Sequence, residues 1–204
     1  MRRVAIDRLP GGSTALQEIA QSIQTGLVLA IPTESSYGLA ADPRSRRGVD
    51  RILAIKGRGG GAKPLLVVAA HREQLDALGV AAPREVVDRL FAIWPAPLTA
   101  VLPIGVPLPA ACGGTTLAVR VPAEPRLRAL LEATGPLTAT SLNRAGEPPV
   151  TDPDEAMRLF EGEVDLLIDG GRTPGGPPST LLDATVAPPR VLRAGAFPWP
   201  PESR

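Results

Sequence analysis

Residues 30–68 contain two short apolar runs, with a polar corner, a helical repeat and a glycine-rich loop between them. The first run is the end of an apolar segment, Leu27 to Ile31, and such a segment is typical of a strand buried on both faces. Between about Ser45 and Lys56, apolar residues recur at the spacing of one helix face. The apolar run from Leu65 to Ala70 predicts a second strand. A buried strand, a helix and another strand in this order indicate an α/β domain.

The remainder of the 204 residues repeats this alternation irregularly. Helical spacing recurs at 16–23 and 84–93, and apolar runs recur at 98–102, 116–121 and 137–141. We therefore expect an α/β fold with one twisted, mixed parallel and antiparallel open sheet flanked by helices. The length suits a single domain, 1–204, with a core of about 13–195 and a loose proline-rich tail at 197–204.

Composition excludes several classes of function. The formal net charge is +1, so the chain has no overall basic field for nucleic acid, although its arginines cluster locally at 44–51. The single cysteine, Cys112, cannot form a disulfide or a zinc cluster within one chain, which fits a reducing compartment. The single histidine, His71, excludes a histidine-rich metal site. No membrane-length apolar run or signal core is present, so we expect a cytoplasmic protein without a membrane partner.

The lysines are distributed unevenly among the 22 basic residues. The chain has two, Lys56 at the end of the predicted helix and Lys63 in the loop that follows it. A compact, mobile ammonium differs chemically from the planar guanidinium that the chain uses elsewhere. This placement indicates an anion site. The alternative is chance placement, with a lysine favoured at a helix C-terminus by the helix dipole.

Eight short motifs occur in a fixed order along residues 30–195. They are PTESSYGL (32–39), KGR (56–58), KPL (63–65), WPAPLT (94–99), AVRVP (118–122), TSLNRAG (140–146), STLLD (179–183) and VLRAG (191–195). In these motifs the chain resembles the YrdC-like threonylcarbamoyl-AMP synthase family, whose catalytic signature is a K-x-R and S-x-N pair.

The resemblance implies an ATP-dependent nucleotidyl transfer. L-threonine and bicarbonate give a carbamate, its carboxylate attacks the α-phosphate of ATP, and pyrophosphate leaves. The resulting threonylcarbamoyl-AMP passes to a threonylcarbamoyltransferase complex that modifies the adenosine beside the anticodon of certain tRNAs. Mg²⁺ accompanies ATP, and no organic cofactor is implied. Because the reacting groups are anionic, positioning and cationic stabilisation would carry such a reaction without a covalent nucleophile.

Matching positions give the residues that the resemblance implies for the site. The catalytic residues would be Lys56, Arg58, Ser141 and Asn143. L-threonine would be bound by Thr33, Arg120, Ala139 and Ser179, and the Arg120 guanidinium would pair with its carboxylate. ATP would be bound by the four catalytic residues together with Lys63, Thr116 and Arg193. No protein side chain is assigned to a metal.

The chain departs from the family pattern at several positions, and at 141–143 Ser-Leu-Asn replaces the common Ser-Ala-Asn. Gly59–Ala62 is longer by one residue than the usual loop, Val68 stands where many members have a histidine, and Pro149 replaces a frequent serine. Two alternative functions therefore stay open. One is an RNA-binding YrdC-like module without turnover, with tRNA or double-stranded RNA as partner. The other is a paralogue that forms a carbamoyl-adenylate on another substrate.

Overall fold

The computed structural model describes residues 1–9, 11–57 and 63–200. Its strands are β1 (Arg2–Ala5), β2 (Leu29–Pro32), β3 (Tyr37–Ala40), β4 (Leu66–Val68), β5 (Leu98–Pro103), β6 (Thr116–Arg120), β7 (Leu137–Thr138), β8 (Thr140–Ser141), β9 (Leu166–Asp169), β10 (Thr180–Asp183) and β11 (Arg190–Arg193). Its helices are α1 (Thr14–Gln24), α2 (Arg46–Ile55), α3 (Arg72–Ala77), α4 (Arg84–Phe91), α5 (Pro125–Thr134) and α6 (Pro153–Leu159). Short 3-10 turns lie at Ile6–Arg8 and Pro109–Ala111.

The strands divide between two mixed sheets. Sheet A has the order β1-β9-β2-β3-β8, and sheet B has the order β11-β10-β5-β6-β4-β7. Parallel pairs such as β1 with β9 and β4 with β6 occur beside antiparallel pairs such as β2 with β3 and β5 with β6. The predicted α/β class and mixed pairing are thus confirmed. The expectation of one open sheet is corrected to two, because strands that are close in sequence pair with different partners.

Residues 137–141, which we predicted as one strand, belong to both sheets. The first part, β7, pairs with β4 in sheet B, and the second part, β8, pairs with β3 in sheet A. One residue, Ala139, lies between them, and its backbone N–H donates to the carbonyl of Leu66 at 2.8 Å. The chain therefore crosses from one sheet to the other within a single residue.

Helix α2 confirms the prediction made from its apolar spacing. Ser45 caps its N-terminus by accepting a hydrogen bond from Gly48 N at 3.2 Å, as expected for a serine N-cap. Val49 and Ile52 are fully buried on its inner face. The helix ends where Gly57 takes a φ of 61°, a conformation that glycine adopts without strain. This ending directs Lys56 into the interior, where its side chain is 4% exposed.

The buried apolar residues form two clusters. One packs α2 and Trp94 against strands of both sheets, and the other packs α1 and α5 against β2 and β9. Phe197 and Trp199, from the tail that we expected to be loosely held, pack against the first cluster. Within residues 1–9, 11–57 and 63–200, no helix has both the length and the apolar character that a bilayer crossing needs.

Candidate functional site

A cavity of about 730 Å³ is lined by residues of both sheets beside the crossing at Ala139. Seven of the eleven predicted site residues line it, and they come from distant parts of the chain. They are Thr33, Lys63, Arg120, Ala139, Ser141, Ser179 and Arg193. A second cavity, of about 470 Å³, lies near the C-terminal end of α1 and contains none of the predicted residues among those that line it.

Lys56 and Asn143 lie next to this cavity through their contacts with Ser141. The Lys56 Nζ donates to the carbonyl oxygen of Ser141 at 2.9 Å and also to Asn143 Oδ1. The Ser141 hydroxyl donates to the same Asn143 oxygen at 2.7 Å, and Asn143 Nδ2 donates to Glu147 O at 2.6 Å. The S-x-N turn is therefore folded around a buried ammonium group, which places a positive charge beside Ser141 of the cavity wall.

Two predicted residues are not placed at the cavity. Arg58 lies outside the described residues, as does the glycine loop that follows it. Thr116 begins β6 and is not among the residues that line the cavity, whereas Ala118 and Arg120 of the same strand are. Of the departures from the family pattern, Pro149 lines the cavity, and Val68 is fully buried in the second apolar cluster.

The corner after β2 is closed by the side chain of Thr33. Its hydroxyl donates to the carbonyl of Ser36 at 2.7 Å, and the Thr33 backbone N–H donates to the same oxygen at 3.1 Å. These bonds hold the turn in a fixed shape beside the cavity. A threonine in such a turn donates a hydrogen bond to the backbone, and its side chain stays at the cavity wall.

A buried guanidinium group forms part of the cavity wall. Arg120 is 5% exposed, and its Nη2 lies 3.3 Å from Glu34 Oε2. Its Nε has no hydrogen-bond partner among the described residues. Burial lowers the pKa of Arg120, the attraction of Glu34 opposes that change, and the positive charge of Arg193 adds to it. A buried cation with unused donors is suited to binding an anionic ligand.

Hydroxyl groups at the start of β5 and β10 form another part of the wall. Thr99 and Ser179 are joined by a hydrogen bond of 2.8 Å between their hydroxyl oxygens, and both are buried. Arg193 Nη2 donates to the carbonyl of Ser179 at 2.9 Å. Thr99 was not predicted as part of the site, although it is the polar residue at the end of an apolar motif, WPAPLT, and could have been found from that signal.

Residues 170–178, which we call the strap, close one side of the cavity. The Tyr37 hydroxyl donates to Gly171 O at 2.8 Å and accepts from Gly170 N at 3.2 Å. Gly175 N also donates to Ser35 O at 2.8 Å. Burial raises the pKa of Tyr37 to about 12, so its hydroxyl keeps its proton in a pH range in which an exposed tyrosine ionises. Tyr37 was likewise not predicted as part of the site.

The chain is similar in sequence to a known protein family. The family model Sua5/YciO/YrdC, described as telomere recombination, matches residues 21–195. A threonylcarbamoyl-AMP synthase from Pyrococcus abyssi is 38% identical over 179 residues, covering 86% of this chain and 52% of that protein. One from Pseudomonas fluorescens is 37% identical over 173 residues, covering 84% and 93%. The chain thus spans about half the length of the first relative and nearly all of the second.

The chain is also similar in structure to solved proteins. P. abyssi Sua5 complexed with L-threonine superimposes with a TM-score of 0.80 at 38% identity, covering 90% of this chain and 54% of that one. E. coli YciO superimposes with a TM-score of 0.78 at 26% identity, covering 95% and 94%. T. kodakarensis HypF, at 20% identity and a TM-score of 0.74, shares the fold.

Proposed function

This chain belongs to the Sua5/YciO/YrdC family, and from that premise we propose that it is a threonylcarbamoyl-AMP synthase, a nucleotidyltransferase that uses ATP, L-threonine and bicarbonate. The observation that carries the proposal is the convergence of seven predicted site residues on one cavity, beside the hydrogen bonds of Lys56. Its volume, about 730 Å³, lies in the range of small-molecule sites. The P. abyssi Sua5 complex with L-threonine supports the choice of amino acid.

The amino acid would occupy the part of the cavity near Arg120. Its guanidinium lines the cavity and meets Glu34 through Nη2, so it has further N–H donors for the α-carboxylate of L-threonine, which can accept two parallel N–H bonds. Thr33, Ala139 and Ser179 line the same cavity and would surround the remainder of the molecule. Condensation of the amino nitrogen with bicarbonate forms an N–C bond, breaks a C–O bond of bicarbonate and releases water, and the resulting carbamate is the nucleophile.

ATP would lie with its phosphates toward Lys56. One carbamate oxygen forms a bond to the α-phosphorus, the bond from that phosphorus to the bridging oxygen breaks, and pyrophosphate leaves with the electron pair. Positive charge near the reacting groups favours this step. Lys56, Lys63 and Arg193 would supply it, with Arg58 from the adjoining loop. Ser141 and Asn143 would fix the Lys56 ammonium.

Mg²⁺ would reach the site bound to ATP. Among the described residues no group of three or more His, Cys, Asp or Glu side chains is arranged to hold a metal ion, so the phosphates would be its ligands. The ion would neutralise phosphate charge. The product, a mixed anhydride, would then pass to a threonylcarbamoyltransferase complex acting on tRNA in the cytoplasm.

Pyrophosphate release tests the proposal. Purified protein with ATP, Mg²⁺, bicarbonate and L-threonine should release pyrophosphate and form threonylcarbamoyl-AMP, identified by its mass. Parallel reactions omit threonine or replace it with serine, valine or lysine. Release that does not depend on L-threonine overturns the assignment of substrate, and release with another amino acid favours the paralogue. Steeply salt-dependent tRNA binding without turnover favours the RNA-binding module. Arg84→Met, which changes an exposed side chain on α4, is the control and should leave release unchanged.

A further inference from the structure

Glu34 lies directly behind Arg120, where it forms the ion pair that adjoins the cavity. Its Oε2 is 3.3 Å from Arg120 Nη2, and its Oε1 accepts a 2.6 Å hydrogen bond from the backbone N–H of Ala123. Glu34 itself is not among the residues that line the cavity, whereas Arg120 is. The carboxylate is therefore placed to act on the guanidinium from the side away from a ligand.

The charges explain why this contact is needed. Arg120 is buried, and the positive charge of Arg193 acts on it as well. A buried charge is stable only when an opposite charge or a set of hydrogen bonds compensates it. Glu34 is the acidic side chain that forms an ion pair with Arg120. Without that carboxylate, Arg120 would have no acidic ion-pair partner among the described residues, and its buried guanidinium would no longer be held in one orientation.

The position of Glu34 in the fold gives the contact a geometric role. Glu34 follows Thr33 in the corner after β2 of sheet A, whereas Arg120 is the last residue of β6 in sheet B. The ion pair and the bond to Ala123 N therefore join a corner of one sheet to a strand end of the other. Both connected segments carry predicted amino-acid ligands, Thr33 and Arg120.

The contact also leaves Arg120 able to bind a ligand. Glu34 meets it through one nitrogen at 3.3 Å, and Nε has no hydrogen-bond partner in the described part of the chain. A guanidinium has five N–H donors in a planar fork, so one edge can be held by the protein while another receives a carboxylate. We propose that Glu34 is a positioning residue that orients Arg120 for the carboxylate of the amino-acid substrate. This inference rests on the proposed function.

Separate measurements of the affinity for L-threonine and the affinity for ATP test the positioning role of Glu34. Glu34→Gln keeps the size of the side chain and removes its charge. Titration calorimetry should show the Kd for L-threonine raised roughly tenfold or more, as for loss of one partner of a buried charge pair. The Kd for ATP should change by less than about twofold, because Glu34 does not line the cavity. In turnover, the KM for L-threonine should rise more than kcat falls.

The matched control is Asp165→Asn. Asp165 also pairs with an arginine, Arg51, at 2.5 Å and accepts a backbone N–H, from Val28 at 2.8 Å, but it does not line the candidate site. The Asp165→Asn substitution should lower thermal stability and leave the Kd values for L-threonine and ATP unchanged. If Glu34→Gln does not fold, Glu34→Asp is measured in its place, because the shorter aspartate side chain cannot reach both Arg120 and the Ala123 backbone N–H.

The outcomes separate the two proposals. Natural protein that does not bind L-threonine overturns the proposed function. Natural protein that binds it, together with a folded Glu34→Gln or Glu34→Asp that binds it equally well, overturns the role of Glu34 and leaves the function standing. A proportional loss of ATP and L-threonine binding also rejects positioning and indicates a general structural role.

Discussion

The ionisation of Tyr37 gives a direct test of how the strap is held. Its hydroxyl lies in the interior, donates to Gly171 O and accepts from Gly170 N. Burial raises its pKa from 10.0 to about 12 in the folded chain. Because the unfolded chain loses this proton at lower pH, the stabilisation is fully present below about pH 10 and is lost as the pH rises toward 12.

The size of the effect follows from the shift. Two pKa units at about 1.4 kcal/mol each give an upper value of about 2.7 kcal/mol of unfolding free energy. For a chain of this length, 1 kcal/mol corresponds to a melting temperature change of about 2–4 °C. Loss of the Tyr37 contribution should therefore lower the melting temperature by roughly 5–10 °C. Tyr37→Phe, which removes both hydrogen bonds, should lose about 1–3 kcal/mol at neutral pH.

The measurement is simple because Tyr37 is the one tyrosine in the sequence. The ultraviolet absorbance of tyrosinate is followed as a function of pH, first for folded protein and then for protein in denaturant, with Tyr37→Phe as the blank. The folded midpoint should lie near 12 and the denatured midpoint near 10. A folded midpoint near 10, with circular dichroism still native, would show that the hydroxyl is exposed to solvent and does not hold the strap.

Two further substitutions test the polar contacts of the site. Lys56→Met should abolish pyrophosphate release and lower the unfolding free energy by about 1.5–3 kcal/mol, because the oxygens of Ser141 and Asn143 lose a charged donor; retained turnover would contradict its role. Thr99→Val should raise the KM for L-threonine by roughly two- to tenfold with little change in kcat, because it frees the Ser179 hydroxyl; an unchanged KM in steady-state kinetics would reject this.

Local patterns predicted the elements whose signals are contained in a few neighbouring residues. The apolar run at 27–31 became β2, and the repeat at 45–56 became α2, each shifted by a residue or two at its ends. The division into two sheets was not predictable in this way. Pairing depends on partners that are distant in sequence, such as Leu66 with Ala118, and short strands carry little information about which partner they choose.

The same limit applies to the site. The motifs supplied residues that converge on one cavity, and their roles stay proposals. The contacts that support these residues were not visible in the motifs. Glu34 meets Ala123 across 89 positions, and Thr99 meets Ser179 across 80. Such pairs become apparent only when the fold brings separate strand ends together, so their polar character alone did not distinguish them from ordinary turn residues.

The passage of the backbone from sheet B to sheet A at Ala139 limits how the binding site can change shape. Consecutive Cα atoms are separated by a constant distance of about 3.8 Å, so the two sheets cannot draw apart at this place. Any widening of the cavity must therefore come from other parts of its wall, such as the loops to which Lys63 and Gly175 belong. The backbone path thus keeps the two sheets at a constant separation at one place, and a change in the width of the site depends on the loops.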